Sequence, residues 1–158
     1  MRRTAERESE RRAFYSAEET VGFLMWETMR RFVREFSRRI ERHGVSFGHW
    51  PFLRVLWEQD GLTQRELALR AGMSAPTALA VLEALERRGF VSREPDPHDR
   101  RKRKVYLTPQ GRRVYPKVVP EVRAVNVRAL RGLDATERER LKALLRRLRA
   151  NLDKESPR

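Results

Sequence analysis

Apolar residues recur along this chain with a helical period, in runs that open on capping residues and close on glycine. The first run places Val21, Met25, Phe32, Phe36 and Ile40 on one face, with Arg30, Arg31, Arg34, Arg38 and Arg39 largely off it. Ser16-Ala17-Glu18-Glu19 ahead of it reads as a capping box, and His43-Gly44 as its stop. A second run, Phe52, Leu53, Val55, Leu56 and Trp57, ends at Asp60-Gly61. Proline suits a first turn and not a helix interior, so Pro51 places the start of this helix near Gly48. Thr63-Gln64-Arg65-Glu66 is a further capping box and opens a short helix through Leu67, Ala68 and Leu69, which Gly72 ends. Ser74 caps the next helix, with Pro76 in its first turn and Ala78, Val81, Leu82 and Leu85 directed inward as far as Gly89. Short helices joined across a tight glycine turn are the signature of a helix-turn-helix.

The period then changes. Residues 90–94 and 103–107 are strand-like, and the intervening PDPHDRRK is too charged and proline-rich for a core, so a β-hairpin with a basic tip is expected. Thr108-Pro109 restarts helix, and Pro116 and Pro120 inside it predict a kink. Asp134-Ala135-Thr136-Glu137 caps a last helix with Leu141, Leu144, Leu145, Leu148 and Leu152 on one face. The fold class that follows is mainly α with a small β-hairpin wing: a winged helix-turn-helix with N- and C-terminal dimerisation helices. Residues 1–15 read as a flexible basic arm, 16–45 as an N-terminal dimerisation helix, 46–108 as the winged helix-turn-helix, 109–152 as C-terminal dimerisation helices and 153–158 as a tail.

Charge narrows the function. Lys and Arg number 36 against 22 Asp and Glu, a formal net charge of +14, which suits a polyanionic partner. The same excess also suits a merely solvated basic surface, so charge decides nothing alone. The absence of cysteine removes disulfides, thiolate metal sites and thiol nucleophiles. No apolar run approaches the roughly 20 residues that span a bilayer. The opening MRRTAERESERRAF lacks the apolar core of a secretory signal, so a cytoplasmic protein is expected. No G-x-S-x-G, phosphate-binding glycine loop or H-E-x-x-H is present, and no enzyme is expected. His43, His49 and His98 lie in different elements, so neither a metal nor a cofactor is expected; a carboxylate-assisted zinc site on His43 and His49 is the alternative they leave.

Residues 62–111, LTQRELALRAGMSAPTALAVLEALERRGFVSREPDPHDRRKRKVYLTPQG, resemble the MarR family of bacterial regulators. The helix-turn-helix, the LERRGFV at the recognition-helix exit, the D-x-R of Asp99-Arg100-Arg101 and the LTPQG of the next helix occur together and in order. By pattern more than by motif, the resemblance extends over about residues 16–152. It implies a DNA-binding regulator that dimerises through its terminal helices, and in many members a small aromatic acid or similar ligand releases the DNA. It also implies that Asp99 holds Arg101 for insertion into the minor groove. The chain departs from the family at Ser74-Ala75-Pro76-Thr77-Ala78-Leu79-Ala80, where members commonly carry an arginine or another long polar residue. Bidentate readout of guanine or adenine is not available from such short side chains.

These readings single out Thr63, Gln64, Ser74, Ala75, Pro76, Thr77, Ala80, His98, Asp99, Arg100, Arg101, Lys102 and Arg103 as candidate contacts to double-stranded DNA. Ser74 and Thr77 suit a phosphate or base edge, and Pro76 and Ala80 a thymine methyl. The plain alternatives are that Ser74 is only a cap and the basic tip only a solvated charge run. Val21, Phe32, Phe36, Leu141, Leu145, Leu148 and Leu152 would expose a large apolar patch unless a homodimer buried them, which predicts an inverted-repeat operator. Trp26, His49, Trp50 and Arg54 are candidates for a small-molecule effector pocket; the plainer reading, that the tryptophans are core and His49 a helix-start residue, is the stronger one. Two functions remain: a repressor released by a small ligand such as an aromatic acid, and an architectural DNA-binding protein without a ligand.

Overall fold

Thr20 opens the first helix, α1 (Val21–Ile40), where its hydroxyl accepts the Phe23 N–H at 3.2 Å. The computed structural model describes residues 20–97, 99 and 101–155, so the capping box read at Ser16 lies outside the described residues. A 3-10 turn, Glu41–His43, and a left-handed Gly44 end this first helical run where the sequence placed its stop. Helix α2 (Trp50–Glu58) carries Pro51 in its first turn, where the missing N–H costs no hydrogen bond. Strand β1 (Leu62–Thr63) leads into α3 (Gln64–Ala71) and α4 (Ala75–Arg87). Strands β2 (Val91–Pro95) and β3 (Arg103–Leu107) follow, then α5 (Pro109–Ala129) and α6 (Ala135–Glu155). Helix α5 runs on as one helix past both of its interior prolines.

The sheet has one strand more than the hairpin read from the sequence. Its order is β1-β3-β2, antiparallel throughout, with Leu62 opposite Val105, Val91 opposite Leu107 and Pro95 opposite Arg103. Two residues are too few to show an alternating pattern, so β1 is legible only through its partner.

The chain divides into a unit ending at Arg123 and a unit beginning at Ala124. In the first, Ile40, Phe52, Leu53, Leu67, Leu82, Leu85, Val105 and Val118 are fully buried in one core. Phe36, read above as a dimerisation residue, belongs to this core: it is 2% exposed, with its ring centroid 5.5 Å from those of both Phe47 and Trp50. Phe32 is half-buried against the same cluster. Both rings thus pack on the chain's own core, Phe36 wholly and Phe32 in part.

Glycine is required where backbone approaches backbone. A Cβ on Gly111, in the first turn of α5, would stand 2.1 Å from the Phe90 carbonyl oxygen. The same glycine's carbonyl accepts the Trp57 indole N–H at 3.0 Å, so α5 is held against α2 and the root of β2 at one point. In the second unit, Asp134 and Glu137 form the expected reciprocal cap of α6, at 2.9 and 2.8 Å.

Candidate nucleic-acid interface

The helix-turn-helix is built by two caps and one glycine. Thr63 Oγ1 accepts the Glu66 N–H at 3.3 Å while Glu66 Oε2 accepts the Thr63 N–H at 2.9 Å, which fixes the start of α3. Hydrogen bonds from the Thr63 hydroxyl and N–H hold the Glu66 carboxyl below its usual range. Gly72, at φ +70°, turns the chain left-handed after α3, a conformation that a Cβ would penalise. Ser74 then caps α4: its Oγ accepts the Thr77 N–H at 3.4 Å and lies 2.9 Å from Thr77 Oγ1. Ala78, Leu82 and Leu85 are buried, so one face of α4 is anchored in the core and the other is free. Ser74, Ala75, Pro76, Thr77 and Ala80 are all exposed on its first two turns.

The wing is closed from within. The Asp96 N–H donates to the Lys102 carbonyl at 2.9 Å and the Lys102 N–H to the Asp99 carbonyl at 2.8 Å, beyond the last strand pair. Asp96 is buried and lies 3.6 Å from the Lys104 ammonium. Asp99 Oδ1 accepts both the N–H and the Nε–H of Arg101 at 3.1 Å, and its Oδ2 lies 3.4 Å from Nη2. These bonds hold the Asp99 carboxyl below its usual range. The Arg101 side chain is nonetheless 91% exposed. The D-x-R thus presents an oriented guanidinium to solvent. His98 and Arg100 lie outside the described residues.

Thr63, Gln64, Arg65 and Glu66 at the start of α3 face Arg101, Lys102 and Arg103 of the wing across an open cleft of about 630 Å³. Residues that the sequence places in separate motifs therefore line one surface, and its charge is predominantly positive. Two braces that were not read from the sequence position it. Arg93 of β2 donates to Glu86 Oε2 of α4 at 2.8 and 2.5 Å, tying the wing to α4. Asp60 accepts the N–H groups of Gly61 at 3.1 Å and Leu107 at 2.9 Å, and pairs with Arg112 at 2.5 Å. Neither pairing has a local sequence signal, because the partners are close only once the sheet has formed.

The four effector candidates have separate surroundings. Trp26 is 60% exposed, with Phe23 and Arg30 as ring neighbours. Trp50 joins an edge-to-face series running from Phe36 through Trp57 to Tyr115. His49 is buried, its Nδ1 accepting the Ser46 N–H at 3.3 Å, and burial pushes its pKa below the ordinary value. Arg54 pairs with Glu58 at 3.0 Å. A cavity of about 270 Å³ lies elsewhere, lined by Arg42, His43, Phe90, Gln110, Arg113, Val114 and Lys117. The Nε2 of His43 is buried there without a hydrogen-bond partner among the described residues. Among those residues no three His, Asp or Glu side chains are grouped to hold a metal, and no helix is long and apolar enough to cross a membrane.

Of the residues proposed for dimerisation, Val21 is 58% exposed, and Leu141, Leu145, Leu148 and Leu152 are 38%, 44%, 36% and 67% exposed. Within the second unit the leucines recur at helical spacing along one exposed stripe of α6.

Comparison with known proteins agrees with this geometry. A model of the MarR family matches residues 43–102. The HTH-type transcriptional regulator YybA of Bacillus subtilis is 31% identical over 108 residues, 68% of this chain and 72% of that protein. A MarR-family transcriptional regulator from Silicibacter pomeroyi superposes with a TM-score of 0.71 at 32% identity, over 88% of this chain and 94% of that one. Bordetella bronchiseptica BpsR, whose DNA binding is described as regulated by 6-hydroxynicotinic acid, superposes with a TM-score of 0.78 at 28% identity, over 85% and 96% of the two chains.

Proposed function

The chain belongs to the MarR family of winged-helix, DNA-binding transcriptional regulators, and from that premise we propose that it is a cytoplasmic repressor that grips an inverted-repeat operator as a homodimer and releases it when a small organic acid binds. The observation that carries the reading is the cleft in which the α3 N-terminus meets Arg101, Lys102 and Arg103, in a helix-turn-helix whose α4 keeps its first turns exposed. A helix N-terminus offers free N–H groups to phosphate oxygens, and the wing adds cations beside it. Short side chains on α4 leave phosphate contacts and DNA shape as the main sources of affinity. A homodimer is supported by the exposed leucines of α6 and the exposed Val21 of α1, which a two-fold partner would cover reciprocally.

Release by an acid is supported by the similarity to BpsR and by the cavity near His43, where Arg42, Arg113 and Lys117 surround the apolar Phe90 and Val114. A thermal-shift screen with aromatic carboxylic acids examines this part by itself.

The deciding experiment titrates the full chain against the duplex upstream of its own gene and against random duplex, at several salt concentrations. The expected result is a preference of about a thousandfold or more for one inverted repeat. Its binding constant should fall linearly with salt on logarithmic axes, with a slope near the number of phosphates neutralised. Equal affinity for every duplex would instead make the protein architectural.

A further inference from the structure

The first two turns of α4 present Pro76, Leu79 and Ala80 outward and no charged side chain, in a chain of which 37% of residues are charged. Ala78, Leu82 and Leu85 fill the inward face, so a period of 3.6 residues puts Pro76 and Ala80 on the opposite one and Leu79 on the flank beside them, while Ala75 lies in the first turn. All four are exposed, Leu79 to 45%, and Met73 in the turn before the helix is 37% exposed. The polar atoms of these two turns are engaged with each other, the Ser74 and Thr77 hydroxyls lying 2.9 Å apart in the cap. The next outward side chain able to hydrogen-bond is Glu83, one turn further from the N-terminus.

An apolar patch of this kind calls for an apolar occupant, while the charge around it calls for a polyanion. Arg65, Arg101, Lys102 and Arg103 line the cleft between the start of α3 and the wing, and the wing guanidinium is oriented outward. In duplex DNA the two demands meet in one place. The major groove displays hydrogen-bonding edges from every base pair, and its one apolar group is the thymine 5-methyl.

We propose that the first two turns of α4 read the operator through thymine 5-methyl groups, with Leu79 as the principal reading residue, so that methyl positions and not hydrogen-bonded base edges specify the major-groove sequence. This rests on the DNA-binding reading above and adds the chemistry of the contact. Pro76, Ala75 and Ala80 let the helix approach closely because they are short, and Leu79 reaches furthest into the groove. A carboxylate at Glu83 keeps the next turn away from phosphates and leaves the apolar turns deepest.

The test uses the full chain and duplexes that it selects from a random pool. Each selected duplex is resynthesised with deoxyuridine for thymidine inside the half-sites, which preserves pairing and removes only the methyl. Affinity, read by fluorescence anisotropy, is expected to fall about fourfold for each contacted methyl, the worth of one buried methylene. Leu79→Ala, at an exposed position whose loss leaves the core intact, is expected to weaken binding to the thymine duplex and to bind the uracil duplex as the parent does. Any effect of uracil on DNA shape would be common to both proteins and cancels in that comparison. Unchanged affinity on uracil substitution overturns the proposal, as does an equal loss for both duplexes in Leu79→Ala. A shift in sedimentation on Leu79→Ala, the sign of a face covered by a second copy, overturns it as well. Selection that enriches no duplex at all sinks the DNA-binding reading itself, an outcome distinct from the others.

Discussion

Arg101 shows what one residue contributes when another orients it. Its guanidinium is almost wholly in solvent, yet Asp99 takes up its Nε–H and its backbone N–H together. An exposed ion pair adds little to stability, so the pairing matters for where the charge points. A guanidinium aimed outward from a wing suits a narrow minor groove, where negative potential is concentrated. Arg101→Ala is therefore expected to weaken operator binding by about tenfold or more at fixed salt, in line with the worth of a charged hydrogen bond, while the melting temperature stays unchanged. Gel-shift titration and thermal melting check both halves, and unaltered affinity would remove the wing from the mechanism. The D-x-R was readable in the sequence because its partners are two residues apart. Asp60 was not, since Leu107 and Arg112 reach it only after β3 pairs with β1.

At the scale of elements, caps and glycines set the boundaries. Thr63, Gly72, Ser74 and Gly89 lie where a local rule places them, and α3 and α4 begin and end accordingly. Gly111 follows a different logic. On helix propensity alone, Gly→Ala inside α5 would stabilise by about 1 kcal/mol. The contact with the Phe90 carbonyl, 2.1 Å from the added Cβ, opposes this and dominates because both groups are backbone and cannot turn aside. Gly111→Ala is expected to lower stability by roughly 3 kcal/mol, the upper range for overpacking, with loss of operator binding as the wing root shifts. Chemical denaturation measures the sign, and a more stable variant would show that α5 slides freely. The LTPQG motif was legible as a pattern, but the reason for its glycine lies in the tertiary approach of α5 to β2.

Over the whole molecule, excess positive charge and uncovered leucines point to two partners, DNA and a second copy. The exposed face of α6 carries Leu141, Leu144, Leu145, Leu148 and Leu152 on a helix otherwise dominated by charged residues. Sedimentation at micromolar concentration is expected to give a dimer. Leu145→Glu with Leu148→Glu, which puts unpaired carboxylates on that face, should give a monomer with operator affinity reduced by at least about a hundredfold, because each half-site is then held alone. A parent protein that sediments as a monomer would defeat the model.

Local chemistry along the chain was enough to decide where helices start and stop, that a hairpin follows the helix-turn-helix, and that its tip is basic. These depend on residues within about one turn of each other, which is the range of caps, periodicity and turn preferences. Tertiary structure alone decided that Phe36 is buried in the chain's own core, that a two-residue strand completes the sheet, and that Asp60 and Glu86 brace the wing. It also brought the start of α3 and the wing to one cleft. The physical reason is the same in each case: burial and long-range pairing depend on which surfaces meet after the chain has folded back, and composition along the chain carries no record of that meeting.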